Sequence, residues 1–496
     1  MDKKKIGLLA LTMMMFTTIF GFANGPVAFL QMGFASIIWY IIGALLYFLP
    51  TSMMYAEFGA TYKESKGGLY SWMEHALGVR MAFIATFIGL ASWIVWMIGV
   101  AAKVWIPLST LVFGHDTTQT WSILGMNSTQ TVGVLGVLFV LVITFFVNRG
   151  VQAIAKISSI GGMAVMALNV IFLVSSIIIL VAHGGHFAEP IHGLATFTTP
   201  ANTSFQSPLA MMSFALYAVF AYGGLEQMGG IMESVDKAEK TYPKAATIAT
   251  VVIGLGYALS ILLWGVSTSW AHLHGMGNAA NLGNITYVLM NNLGVELGGA
   301  FGLSHAAALG LGSAFARFAG ISMFLAYLGS FFFMTYAPIK SFILGTPREL
   351  WPSRMVKLNK AEVPSFSIWI QATVVSIFII AVSFGGDSAS TLYQVLTNMG
   401  NVSSTLPYVF LVIAFPMFKR LKNVDRPFVA YKSMAVTYVV STVVAILLVV
   451  SIAFTVAQPI IAKDYFGAFW TVIGPVFFGI VAWAFYAHGE KKQKQN

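Results

Sequence analysis

The sequence predicts an all-α polytopic membrane protein, and three observations carry that expectation. The chain is 58% hydrophobic and 9% charged, where a soluble domain carries roughly 25% charged residues. Apolar runs near the roughly 20 residues that cross a bilayer recur along its whole length. The few basic residues collect in every second connection between those runs.

Twelve runs read as transmembrane helices: 6–30, 33–56, 81–106, 130–148, 157–182, 208–232, 246–268, 308–336, 365–384, 391–416, 434–457 and 467–487. The first lacks a small-residue cleavage site and leads straight into a second, so it reads as a span and not as a removed leader. The first and sixth are interrupted mid-way, by Thr17-Thr18-Ile19-Phe20-Gly21-Phe22-Ala23-Asn24-Gly25-Pro26 and by Phe220-Ala221-Tyr222-Gly223-Gly224-Leu225-Glu226. Backbone unwound at mid-bilayer needs partners that lipid cannot supply, so it is tolerated where it lines a cavity. Matching breaks in two halves point to a five-plus-five inverted repeat with a small-solute site at its centre. Residues 1–416 then form the transport core, and 417–496 add helices 11 and 12 with a short tail.

With the N-terminus inside, all of the 27 basic residues except Lys103, Arg317 and Lys463 fall on the cytoplasmic side. The net charge of +10 is therefore an orientation signal with both ends in the cytoplasm, and not a nucleic-acid footprint. No Gly-Lys pair exists, so no phosphate loop links the chain to ATP. The absence of cysteine excludes disulfides, thiol nucleophiles and thiolate metal sites. No nucleophile–base–orienter set or metal motif lies within the spans, so no enzyme and no cofactor is expected.

The stretch Ala56-Glu57-Phe58-Gly59-Ala60-Thr61-Tyr62, followed by Gly67-Gly68-Leu69-Tyr70-Ser71-Trp72, resembles the signature after helix 2 in the amino acid–polyamine–organocation superfamily. Tyr222-Gly223-Gly224-Leu225-Glu226, Glu233 and Tyr242-Pro243 look like that family's helix 6 and its exit. Gly345 to Pro352 and Asp425-Arg426-Pro427-Phe428 are similar to its loops after helices 8 and 10. Spacing is closest to the glutamate:GABA antiporter group. The resemblance implies the LeuT-type fold with helices 1 and 6 unwound, a bacterial inner membrane, and exchange or proton-coupled uptake of amino acids. It places the site between helices 1, 3, 6, 8 and 10.

An amino acid presents a carboxylate and an ammonium. The first break offers N–H groups around Phe20, Gly21 and Phe22 at a half-helix N-terminus, which attract the carboxylate. The sixth offers carbonyls from Phe220 through Tyr222 to Gly223 for the ammonium. Gly21, Gly223 and Gly224 allow close approach because they carry no Cβ. The resemblance implies substrate contact at Thr17, Phe20, Gly21, Phe220 and Gly223, with Phe220 as an aromatic lid. Ile19-Phe20-Gly21 keeps only the last glycine of the family's Gly-Ser-Gly. The competing reading is that these glycines only permit tight helix packing.

Glu226 is an ionisable group inside span 6, and such groups are usually functional. It either carries a proton or holds a gate, or else fastens the broken helix through backbone donors. Arg317 and Lys103 are the remaining intramembrane cations; they either steer an acidic substrate, pair with Glu226, or snorkel to the interface. Alignment on Asn148-Arg149-Gly150 puts Ser159 where the family often has a lysine, with Lys156 one turn nearer the cytoplasm, so proton, sodium and exchange coupling all stay open. Ser330, Thr335 and the run 397–404 are further polar groups of spans 8 and 10. Seven of nine histidines, His115, His183, His186, His192, His272, His274 and His305, are expected outside, either as an acid-sensing surface or as solvated loop residues. No metal is expected there, because the pairs lack carboxylate companions at ligand spacing. The expected partners are an amino acid, a proton and the bilayer, with the chain as monomer or homodimer. A cationic amino acid or polyamine exchanger, and a non-transporting amino acid sensor, are the rival readings.

Overall fold

The chain is seen in a computed structural model that describes residues 5–65, 68–461 and 463–495. The side chains of 17, 151–156, 158, 230, 231, 233, 278, 387–399, 401 and 492–495 lie outside that description. Of the basic residues counted above and the residues singled out, Lys3, Lys4, Lys66 and Gly67 are therefore not described, nor are the side chains of Thr17, Lys156, Glu233, Thr397, Asn398, Met399, Asn401, Lys492 and Lys494.

The first span is two helices, α1 (Leu8–Ile19) and α2 (Asn24–Met32), with Phe20 to Ala23 unwound between them. Pro26 sits in the first turn of α2, where its missing N–H would have had no helical partner. Then α3 (Ser36–Gly43) passes through a π turn, Ala44–Phe48, into α4 (Leu49–Thr61). The wider turn stands just before Pro50, whose ring cannot donate to the carbonyl one turn back. A short α5 (Leu69–Leu77) leads to α6 (Val79–Lys103) and α7 (Trp105–Phe113), then α8 (Ser128–Val147) and α9 (Val151–Ala182). Asn127 and Gln130 start α8 with a reciprocal capping box.

After the four-residue α10 (Ala195–Thr198), the sixth span is α11 (Pro208–Phe220), a turn, and a 3-10 segment Leu225–Ser234. There follow α12 (Ala238–Ser267), α13 (Trp270–Gly275), α14 (Ile285–Ala300), α15 (His305–Gly345) and α16 (Ser353–Val356). The chain closes with α17 (Ser365–Phe384), α18 (Asp387–Arg420), α19 (Met434–Ile461) and α20 (Tyr465–Gln495). No strand occurs among the described residues; Ile6 and Val235 form a single parallel bridge.

The all-helical membrane class holds. Eleven described stretches, not twelve, are long and apolar enough to cross a bilayer. The difference lies in the first span: its arms have 12 and 9 residues, so neither spans alone, and the second runs on into one apolar stretch, Asn24–Thr61.

The hub is α12, which packs against α1, α2, α3, α4 and α9. The longest helix, α15, packs against α14, α9 and α7. On the α14 side that contact is backbone on backbone: a Cβ added to Gly294 would fall 2.8 Å from the Cα of Gly312. Small residues permit this approach, the main source of helix association in lipid.

At the basic end, Glu57 of α4 is fully buried. Its carboxylate takes Lys419 Nζ of α18 at 2.7 Å and the Ala430 N–H of the following loop at 2.9 Å. Arg426 of that loop donates to the carbonyls of Phe418 and Leu421, and Tyr431 donates to Pro50. One buried ion pair thus joins the end of α4 to the end of α18.

Candidate functional site

The two breaks touch. Gly224 turns at φ +116°, and its α-carbon faces the Thr18 carbonyl at the end of α1. Any side chain here would be strained. What binds the breaks is Tyr257, buried midway along α12. Its hydroxyl accepts from the Gly21 N–H at 2.9 Å and from Asn24 Nδ2 at 3.0 Å. It lies 2.9 Å from the Ile19 carbonyl and 3.1 Å from the Ala221 carbonyl. One hydroxyl has one proton and two lone pairs, so it accepts twice and donates to either of those carbonyls. It therefore always serves the first break through Gly21, and with its proton turned to Ala221 it serves the second as well, which lipid cannot do.

The second tie is Glu226. Its carboxylate is buried and accepts from the Gly224 N–H at 3.0 Å, the Tyr408 hydroxyl at 2.9 Å and Gln227 Nε2 at 3.2 Å. Two of these bonds stay within the sixth span; the third reaches across to α18.

Aromatic rings wall the breaks. Phe20 stacks on Tyr257 at 4.7 Å and on Phe16 at 4.9 Å. Phe22 meets Phe172 and Trp264 edge-on, each at 5.8 Å. The Phe20 N–H closes the last turn of α1 on Phe16. Among the described residues no acceptor meets the N–H groups of Phe22 and Ala23 at the head of α2, and no donor meets the carbonyls of Tyr222 and Gly223. The backbone donors left at one break and acceptors left at the other are what a zwitterion needs.

Residues 6–485 match the amino acid permease family. The chain belongs to the amino acid permease family. It is therefore a membrane amino acid transporter and not an enzyme. It is 48% identical to the inner membrane transporter YjeM of Salmonella typhimurium over 97% of this chain and 96% of that one. It is 23% identical to the aspartate/glutamate permease AcaP of Lactococcus lactis subsp. cremoris, over 85% and 81% of the two chains. The fold is similar to that of a mutant of the Eremococcus coleocola manganese transporter, with TM-score 0.58 and 13% identity over 96% and 94% of the two chains.

The permease brings some of the residues singled out in the sequence together and scatters others. Phe20, Gly21, Phe22, Gly223, Gly224 and Glu226 surround the two breaks. Gly21 is crowded by the first residue of α2, since an added Cβ would lie 2.9 Å from Asn24 Nδ2. Tyr222 is turned away: it stacks on Phe48 and donates to the Tyr40 carbonyl at 2.9 Å. Phe220 is exposed. Arg317 donates to the carbonyls of Leu111 and Val112 at the end of α7, at 2.7 and 2.5 Å; it caps a helix. Lys103, in the last turn of α6, and Ser159 of α9 are exposed. Thr335 bonds back to Phe331 in its own helix, and Ser330 is exposed. All seven histidines expected outside are exposed, and no cluster of metal-binding type occurs among the described residues.

Tyr257, Asn24, Tyr408, Phe172 and Trp264 were not singled out from the sequence. One signal existed for Tyr257: a hydroxyl in the middle of an apolar span must find a partner. Nothing local to α12 says that the partner is a break more than two hundred residues away.

Proposed function

We propose that this permease is a secondary active transporter of the glutamate/GABA type, coupled by exchange or by protons and working by alternating access. The observation that carries the reading is the Tyr257 hydroxyl, which holds both breaks against each other while leaving donors on one and acceptors on the other. The substrate carboxylate lies at the N–H groups of Phe22 and Ala23, at the positive end of α2. Its ammonium lies at the carbonyls of Tyr222 and Gly223, and Phe220 closes over it. Glu226, tied to both the sixth span and α18, carries the proton. The relative named as an aspartate/glutamate permease supports an acidic or acid-derived amino acid as cargo. Residues 1–416 are the transport core and 417–496 flank it. The basic segments, and the inner-membrane name of the relative at 48% identity, support an inner-membrane location with both termini in the cytoplasm.

Counterflow in proteoliposomes preloaded with each of a panel of amino acids, at mildly acidic and neutral pH, tests this. Accumulation of labelled glutamate or GABA, strongest at acidic pH, is the expected result. Counterflow with neutral or basic amino acids alone discards the glutamate reading, and silence across the panel overturns amino acid exchange. In the same assay Glu226→Gln is expected to flatten the pH dependence while sparing exchange; an unaltered pH profile removes the proton role.

A further inference from the structure

We propose a binding site for one anionic phospholipid in the groove between α18 and α19 at the basic end of the molecule. The groove holds about 250 Å³ and is lined on α18 by Val412, Ile413, Pro416, Met417 and Arg420, and on α19 by Tyr438, Ser441, Thr442 and Ala445.

Its chemistry is graded along its length. At the basic end the Arg420 guanidinium lies 5.3 Å over the Tyr438 ring. The neighbouring cations are already engaged, Lys419 by Glu57 and Arg426 by backbone carbonyls. Among the described residues no carboxylate pairs with Arg420. An exposed, stacked, unpaired guanidinium at the end of a transmembrane helix suits a phosphate, which it can bind through a fork of donors. Lys422 and Lys432, in the loop that joins the two helices, add to the field that attracts an anionic headgroup.

One turn deeper the groove turns polar inside. Ser441 is 4% exposed, and its hydroxyl has no partner. It stands three residues beyond Tyr438 on α19, about 4.5 Å further from the basic end at 1.5 Å per residue. On the facing helix, Pro416 has no N–H to give the Val412 carbonyl, and both residues line the groove. Phosphate at Arg420 puts the glycerol ester of a phospholipid at this depth, where the Ser441 hydroxyl donates to an ester carbonyl. Thr442 stands beside Ser441, and deeper still Val412, Ile413 and Ala445 are apolar side chains that suit an acyl chain. A fatty acid or a detergent supplies no ester at that level, and a zwitterionic lipid sets its own cation against Arg420. The positive-inside reading places this corner in the cytoplasmic leaflet.

Native mass spectrometry of the detergent-purified full chain, titrated with phosphatidylglycerol and with phosphatidylcholine of the same acyl chains, tests the site. The wild type is expected to keep one phosphatidylglycerol in preference to phosphatidylcholine. Arg420→Gln should lower that preference about fivefold, and Ala445→Phe, which fills the groove, should lose lipid of either kind. Gel filtration confirms that both variants are folded. Equal retention of the two lipids by the wild type, a preference untouched by Arg420→Gln, or lipid still held by Ala445→Phe each overturns the proposal. So does a dimer that Ala445→Phe dissolves with no lipid bound, which would make the face a contact between copies.

Discussion

At the residue scale, Tyr257 is the sharpest test, because one hydroxyl lies within hydrogen-bond distance of four groups and serves three of them at a time. Tyr257→Phe keeps the ring stacked on Phe20 and removes only the hydroxyl that meets Gly21, Asn24, Ile19 and Ala221. Each buried polar group left without a partner costs about 1–3 kcal/mol, and the two breaks lose the atom that spaces them. Substrate affinity, read by binding to purified protein, is expected to fall at least about tenfold, equivalent to about 1.4 kcal/mol, with insertion into the membrane unchanged. Unaltered affinity would show that the breaks hold their geometry without this tie. Glu226 differs from Tyr257 in kind: it is itself ionisable, and it reaches a helix outside the broken pair through Tyr408.

Elements are held together in two ways. In the lipid-facing body, α14 meets α15 through glycine, by shape alone. At the basic end, α4 meets α18 through the buried Glu57–Lys419 pair. Removing one member of a buried pair strands the other charge and costs about 3–5 kcal/mol, whereas replacing both is often close to neutral. Lys419→Met is therefore expected to lower the thermal midpoint in detergent more than Glu57→Gln combined with Lys419→Met. If the double variant is the less stable by the sum of the two single losses, the charges act independently and the tie is not a pair.

For the whole molecule, the face opposite the basic end closes through its connections. Glu189, in the connection after α9, donates its N–H to the Gly265 carbonyl at the end of α12. Its carboxylate takes the Trp270 N–H at 2.6 Å, and the Trp270 indole donates to the Leu30 carbonyl of α2. Burial of this half-buried carboxyl pushes its pKa up, against the lowering effects of the Trp270 N–H and of His192. A folded pKa above the unfolded value of about 4.3 means the docked state holds its proton longer. The stabilisation is full below the unfolded value and is lost as pH rises through the raised one. Docking of this connection is thus expected to be tighter at mildly acidic than at neutral pH, read as hydrogen-exchange protection of the Trp270 amide after correction for intrinsic rates. Glu189→Gln should remove the difference; equal protection of the wild type at both values refutes it.

The class, eleven of the twelve expected spans and the two breaks were legible in the amino-acid order, because an α-helical chain crosses lipid either as a long apolar helix or as a broken one that lines a cavity. Gly21, Phe22, Gly223 and Gly224 were candidates because they stand in those breaks, two of them also through the family resemblance, and Glu226 because it is an ionisable group inside a span. The same local reasoning could not place Arg317, which reads as a charge inside a span and is a cap on α7, or Tyr222, which sits in the break and packs away from it. A side chain's direction follows from the neighbours it meets, and those neighbours lie far along the chain. Tyr257 on Gly21, Tyr408 on Glu226 and Lys419 on Glu57 are long-range pairs that no periodicity encodes. Sequence alone determined where the backbone must be freed; only the tertiary structure decided which atoms satisfy it and which are left without a protein partner.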